Sequence, residues 1–150
     1  MSNSPDGRLF LAWTDRFAVG VEALDRDHHA LVRLINGVCR AAHDETGAGV
    51  LAAMDSLCEA AREHFHREEI VRTFLRAVGH PAAHGAERRE HRERCKHLCE
   101  LRRHFEGTEE RAARLKLCEE LIHWFVRQSI GRDAEIKAYF DDRGSRRCRL

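Results

Sequence analysis

Proline, net charge and long apolar runs are all scarce in this sequence. Only two prolines occur in 150 residues, Pro5 and Pro81, and both lie outside or at the edge of helical patterns. Runs of β-branched residues are absent, and strong helix formers dominate. That composition predicts an all-α domain. The formal net charge is +1, from 26 Lys plus Arg against 25 Asp plus Glu, so there is no global field to hold nucleic acid. No apolar stretch approaches the ~20 residues of a membrane span. The opening MSNSPDGRLFLAW lacks the charged start and long apolar run of a signal peptide. A cytoplasmic protein with neither nucleic-acid nor membrane partners is expected, and its six cysteines are then reduced thiols rather than a disulfide framework. Nucleotide loops, Ser-His-Asp patterns and flavin or nicotinamide fingerprints are also missing.

What is present is helical periodicity. An arm to about Glu22, anchored by Trp13, Phe17 and Val19, precedes four amphipathic segments. The first runs from about Asp25 to His43, with Leu31, Leu34, Ile35 and Val38 at helical spacing. The second covers about Val50 to Val78, with Leu57, Ala61, His64, Phe65 and Glu68 inward. Gly79-His80-Pro81 reads as a turn. The third covers about Ala82 to Phe105, and Gly107 ends it. Thr108 is placed to cap the fourth, which runs to about Gln128. Gly131 breaks that helix, and a short helix around Ala134 to Phe140 follows. Short connections make neighbours antiparallel, so the expectation is a single domain over 1–150: an up-down-up-down four-helix bundle (about 23–140), an N-terminal arm and an Arg-rich solvated tail from about 141.

Metal-type side chains are spread over these segments. His64 and Glu68, four apart, share an inward face and can converge on one ion. By itself that spacing is weak evidence and more often describes a surface pair. Glu87 and His91 are also four apart, with His84 seven before His91, on what is either a metal face or a solvated one. His28 lies on an otherwise apolar face, where a core histidine is the plain alternative. Cys39, Cys58, Cys95, Cys99 and Cys118 fall at apolar positions and read as small buried hydrophobes, with an oxidant-responsive thiol set as the alternative. Cys148, among arginines, is the thiol expected to be most reactive.

Taken together, the segments resemble the hemerythrin family, and bacterial single-domain hemerythrins in particular. The resemblance is carried by Trp13, by Gly20-Val21 leading into Leu24-Asp25-Arg26-Asp27-His28 and Leu31, and by Asn36. It continues in His64-Phe65-His66-Arg67-Glu68-Glu69, Gly79 to Pro81, and Trp124-Phe125-Val126 with Asp133 nine residues after the tryptophan. The resemblance implies a helical bundle around two non-haem iron ions and a role in binding dioxygen or another small diatomic or peroxide ligand, for carriage, storage or sensing rather than catalysis. His28 and His64 would bind the iron that stays open to the ligand. Glu68 and Asp133 would bridge the pair, and His91 would bind the second iron. Where the family pattern has two further histidines, this chain has Glu87 and Gln128. A carboxylate for an imidazole adds negative charge and favours a harder, higher-valent ion, so impaired reversible oxygen carriage is expected, with a Mn/Fe pair or a single metal as variants of the cofactor. His84 is the available substitute ligand. Two other functions stay open: a di-metal oxidase, peroxidase or nitric-oxide-handling enzyme, and a single-metal or metal-free redox-sensing bundle whose protein partner the sequence does not name.

Overall fold

A computed structural model describes residues 2–3, 7–79, 87–132 and 134–147, with all their side chains except those of 2–3, 87–89, 132, 135 and 142–147. Four helices form the bundle: α1 (Glu22–His43), α2 (Val50–Ala77), α3 (Glu87–Glu106) and α4 (Arg111–Val126). A π-helical turn, Arg127–Arg132, extends α4, and a fifth helix, α5 (Ala134–Arg147), follows. Ahead of α1, Ser2–Asn3 pairs antiparallel with Leu9–Phe10, and Asp15–Phe17 makes one 3-10 turn.

Side-chain contacts fix the topology. Asp27 at the start of α1 meets Arg67 of α2. Glu68 of α2 faces His91 at the start of α3, and Asp55 near the start of α2 holds Arg102 near the end of α3. His28 faces Phe125, whereas Ala42 at the other end of α1 meets Arg114 at the start of α4. Each helix therefore runs against its sequence neighbours, and α4 closes the ring on α1. This is the expected up-down-up-down bundle.

The buried stripe of α1 is Leu24, His28, Leu31, Val32, Ile35, Val38, Cys39 and Ala42, the three-and-four spacing of a helix with one inward face. Glu22 and Asp25 in its first turn and Arg40 and His43 in its last oppose the helix dipole favourably. On α2 the stripe changes character along its length. Val50, Met54, Leu57, Cys58 and Ala61 are followed by His64, Glu68 and Arg72 on the same buried face before Leu75 restores it. A polar layer thus crosses the interior between two apolar clusters. The larger cluster runs from Leu31 and Phe65 to Phe105. The smaller joins Val19, Leu24, Leu75, Ile136 and Tyr139, and so closes the far end with the arm and α5.

The connection between α1 and α2 depends on Arg114, which is only 2% exposed. Its Nε donates to the Ala42 carbonyl at 3.1 Å. One Nη donates to the carbonyls of Asp44 at 2.7 Å and Glu45 at 3.1 Å, and the other donates to that of Glu109. Among the described residues no carboxylate pairs with this guanidinium. It is held by carbonyls at and beyond the C-terminus of α1, where unsatisfied acceptors and the helix dipole both favour a cation. Gly47 lets the loop pass over it: φ is +63°, and a Cβ there would lie 2.7 Å from Arg114 Nε.

Several boundaries differ from the sequence expectation. Helix α1 begins at Glu22, not Asp25, because Asp25 does not start the helix but turns its carboxylate back to accept from the Val19 and Gly20 amides at 2.6 and 3.2 Å. Thr108 does not cap α4; its hydroxyl donates to the His104 carbonyl at 2.6 Å and closes α3, and Glu110 precedes α4 without a side-chain cap. Gly131 lies inside the π-helical turn rather than ending a helix. The residues read as a solvated tail from 141 are helical to Arg147, consistent with the high helix propensity of arginine. Gly79, at φ +71°, closes α2 as expected. The expected start of α3 at Ala82 lies outside the described residues.

Replacing Arg114 by methionine leaves carbonyl acceptors without their donor, and about 3 kcal/mol of stability is expected to be lost. Arg114→Lys should recover little, since one ammonium cannot span acceptors on both segments. Urea unfolding followed by far-ultraviolet circular dichroism measures both.

Candidate metal centre

The polar layer is assembled from α1, α2 and α3. His28 and His64 are 0% and 3% exposed, and their Nε2 atoms face each other at 3.3 Å. What lies behind each ring decides what that approach means. His28 Nδ1 lies 2.6 Å from the Phe17 carbonyl oxygen, which can only accept, so Nδ1 carries the proton. His64 Nδ1 lies 3.3 Å from Asp27 Oδ2 and donates to that carboxylate in the same way. In the neutral rings both Nε2 atoms therefore present lone pairs to the same point. Two facing lone pairs at this distance repel each other, and a cation between them removes the repulsion. Two nitrogen ligands at ~2.1 Å from one ion stand roughly 3 Å apart when they subtend a right angle or slightly more. The pair fits a shared metal ion.

Both anchors are built in. The 3-10 turn Asp15–Phe17, capped by the Thr14 hydroxyl on the Arg16 amide at 3.1 Å, aims the Phe17 carbonyl. The arm carrying that turn is fixed to α1 by Asn36, whose side-chain amide pairs with both backbone groups of Leu11 at 2.7 and 2.9 Å. Trp13 stacks on the exposed His29, ring centroids 3.4 Å apart. Asp27 is fixed by a two-pronged contact from Arg67, Nε to Oδ2 at 2.8 Å and Nη2 to Oδ1 at 2.9 Å. Burial works to raise the Asp27 carboxyl, but hydrogen bonds from His64 and Arg67 outweigh it and hold it at about 2. It stays an acceptor across the physiological range.

Glu68 is 1% exposed and stands at the centre of the layer. Its Oε2 lies 3.7 Å from His64 Nε2 and accepts no hydrogen bond, although Arg94 Nη1 stands 3.5 Å away without hydrogen-bond geometry. Its Oε1 accepts from Arg72 Nε at 3.1 Å and faces His91 Nε2 at 3.7 Å. Burial pushes this carboxyl up, and His91, Arg94, His64 and Arg72 together hold it well below the usual range. His91 stacks on Phe65 with centroids 5.3 Å apart, its Nδ1 3.8 Å from Glu69 Oε1. Arg94 also lies over the Phe65 ring, its Cζ 5.4 Å from the centroid.

Of the residues expected to bind metal, His28, His64 and Glu68 are therefore brought together, with His91 on the far side of the same carboxylate. Gln128 lies in the π-helical turn, half-buried, on the wall of a cavity of about 240 Å³ shared with Arg94, His97 and Trp124. The Glu87 side chain, Asp133 and the substitute ligand His84 lie outside the described residues. Among the described residues no three His, Cys, Asp or Glu side chains are already gathered as a complete ligand set; Glu68 stands farther from His64 than His28 does. Sequence reasoning missed Phe17, whose carbonyl oxygen accepts from His28, and missed Asp27, Arg72 and Arg94. Asp27 adjoins His28. Arg72 carries a usable signal, because it continues the inward spacing of His64 and Glu68 by one more turn.

The thiols follow the plainer of their two readings. Cys39, Cys58 and Cys118 are buried and Cys95 and Cys99 partly so. Contact between Cys39 and Cys118 lowers the Cys39 thiol and, with burial, pushes that of Cys118 up; burial raises those of Cys58 and Cys95, which suits inert core thiols at those two positions. Cys148 lies outside the described residues.

Residues 19–129 match the family model of the hemerythrin HHE cation-binding domain. A search of curated proteins returns no match. No helix among the described residues is long and apolar enough to cross a membrane.

If the Asp27 carboxylate orients His64 as argued, Asp27→Ala lowers metal affinity by about 10–100-fold while the protein stays folded. Replacing the exposed His123 by alanine leaves affinity unchanged. Competition against a chelator of known affinity reads both.

Proposed function

Because this chain belongs to the hemerythrin family, a family of cation-binding helical bundles, we propose that it binds dioxygen or a related small molecule at an iron ion held by His28, His64 and Glu68. One observation carries this reading: two buried imidazoles, each anchored through Nδ1, turn their Nε2 lone pairs toward one point 3.3 Å across. Iron bound there would supply redox activity and a coordination position for the small molecule.

The protein's own residues determine what such a centre does. Phe17 and Asp27 fix the two rings before any ion arrives, so little orientational freedom is lost on binding. Glu68 supplies the anionic oxygen on the same side and completes the two-histidine, one-carboxylate donor chemistry suited to non-haem iron with open positions. Phe17, Leu31, Ile35, Phe65 and Phe125 wall the rings with buried apolar surface, which excludes water and retards loss of charged oxygen species. The burial of both histidines restricts access to molecules on the diatomic scale and favours binding, storage or sensing over turnover of an organic substrate. Trp124 adds one buried N–H with no acceptor among the described residues, a donor available to a polar guest.

Protein loaded with ferrous iron without oxygen and then freed of excess metal should retain iron and change its visible spectrum on exposure to air. His28→Ala with His64→Ala should retain no iron and show no change. Iron retention by that double variant would place the centre elsewhere and overturn the reading.

A further inference from the structure

We propose that a small oxoanion, of the size of sulfate or phosphate, binds between the N-terminal arm and the junction of α4 with α5, and that its binding tightens the metal centre. The site is a cavity of about 170 Å³ lined by Arg16, Val19, Ser129, Ile130, Ala134 and Lys137. These residues come from three segments: the arm with its 3-10 turn, the π-helical turn, and the first turn of α5. The 3-10 turn packs directly on the π-helical turn, so the cavity lies at a seam between separate parts of the chain.

The lining carries two cations and, among the described residues, no carboxylate. Neither the Arg16 guanidinium nor the Lys137 ammonium has an ion-pair or hydrogen-bond partner among those residues, in contrast to Arg67, Arg102 and Arg114, which carboxylates or carbonyls hold. Asp25, which meets the arm at Val19, is turned to backbone amides. Ser129 is 3% exposed, and its hydroxyl has no hydrogen-bond partner among the described residues. A buried hydroxyl left without a partner costs free energy. An oxoanion lodged between the two cations accepts from it and makes charge-assisted bonds to both. A cavity of this size takes one tetrahedral anion and not a nucleotide. The link to the metal centre runs through one peptide unit. Arg16 precedes Phe17, whose carbonyl oxygen accepts from His28 Nδ1 at 2.6 Å. An anion held by Arg16 on the arm, and by Ser129 and Lys137 across the seam, restrains the turn that aims this carbonyl. The coupling, unlike the anion site, rests on the reading that His28 and His64 bind iron.

The test is calorimetric titration of the full chain with sodium sulfate, at an ionic strength held constant with sodium chloride. One sulfate per chain is expected. Its affinity should fall about tenfold in Arg16→Gln and in Lys137→Gln, and stay unchanged in Lys116→Gln, which removes an exposed cation elsewhere on α4. Affinity for Co²⁺ should rise about fivefold with sulfate bound, and not in the double variant Arg16→Gln with Lys137→Gln. Vesicles of phosphatidic acid in phosphatidylcholine should not sediment the protein; co-sedimentation would overturn the assignment to a free anion. Absence of saturable sulfate binding, or an equal loss in Lys116→Gln, would overturn the site. Sulfate binding that leaves Co²⁺ affinity unchanged would overturn the coupling. Absence of Co²⁺ binding beside intact sulfate binding would overturn the iron-binding reading and the coupling, and leave the anion site standing.

Discussion

A carboxylate at 1% exposure is the constraint around which the interior of this bundle is organised. Burying the ionised side chain of Glu68 without partners would cost far more than the bundle could recover from apolar packing. Four cationic or ionisable groups therefore surround it from two helices: His64 and Arg72 on α2, and His91 and Arg94 on α3. Because those helices must present these groups at one level, the register between α2 and α3 is fixed there. The apolar stripes above and below then determine how the rest of the bundle packs. The polar layer is costly in itself. It is sustained by the cluster around Phe65, Leu98 and Phe125 on one side and by Leu24, Leu75 and Ile136 on the other.

The same layer depends on parts of the chain that carry no chemistry of their own. His28 is oriented by a backbone carbonyl in the N-terminal arm, and that arm is registered on α1 through Asn36 and Asp25. The arm is thereby part of the site. Its displacement would free the His28 ring to rotate even though no candidate ligand had changed. On the opposite ring, the chain from Arg67 through Asp27 to His64 does the equivalent work from the surface of α2. One imidazole is thus governed by the position of the arm, and the other by a partly buried ion pair reached by solvent from the Arg67 side.

The helices and the inward pair His64 and Glu68 were legible in the sequence because spacing encodes which residues share a face. His28 was legible only through its neighbours and the family resemblance. Other features were not, for identifiable reasons. Phe17 acts through its carbonyl oxygen, which every residue type possesses, so no side-chain pattern announces it. Arg72, four residues after Glu68, reads as an ordinary surface ion pair of a charged helix; only its place on the buried stripe separates it from Arg67, which is largely solvent-facing. Arg94 sits in HRERC, where arginine and glutamate alternate and solvation is the default expectation. Charge patterning alone therefore does not single out Arg72 and Arg94, which are core residues. Thr108 was misread for a related reason: a hydroxyl between two helices can serve either one, and here it donates to a terminal carbonyl of α3.

The buried arginines also bear on what kind of metal protein this is. Arg114 at one end and Arg72 with Arg94 at the other are each held by groups the fold supplies, carbonyls in the first case and Glu68 in the second. A guanidinium is permanently charged and cannot be titrated or removed by a chelator. The share of Glu68 neutralisation that Arg72 and Arg94 provide is consequently independent of pH and of metal supply. A bundle whose central carboxylate relied on two exchangeable ions would have its packing linked to their occupancy, because loss of either ion would leave a buried charge exposed to an apolar surround. The arginines thus keep the layer paired whether or not an ion is present.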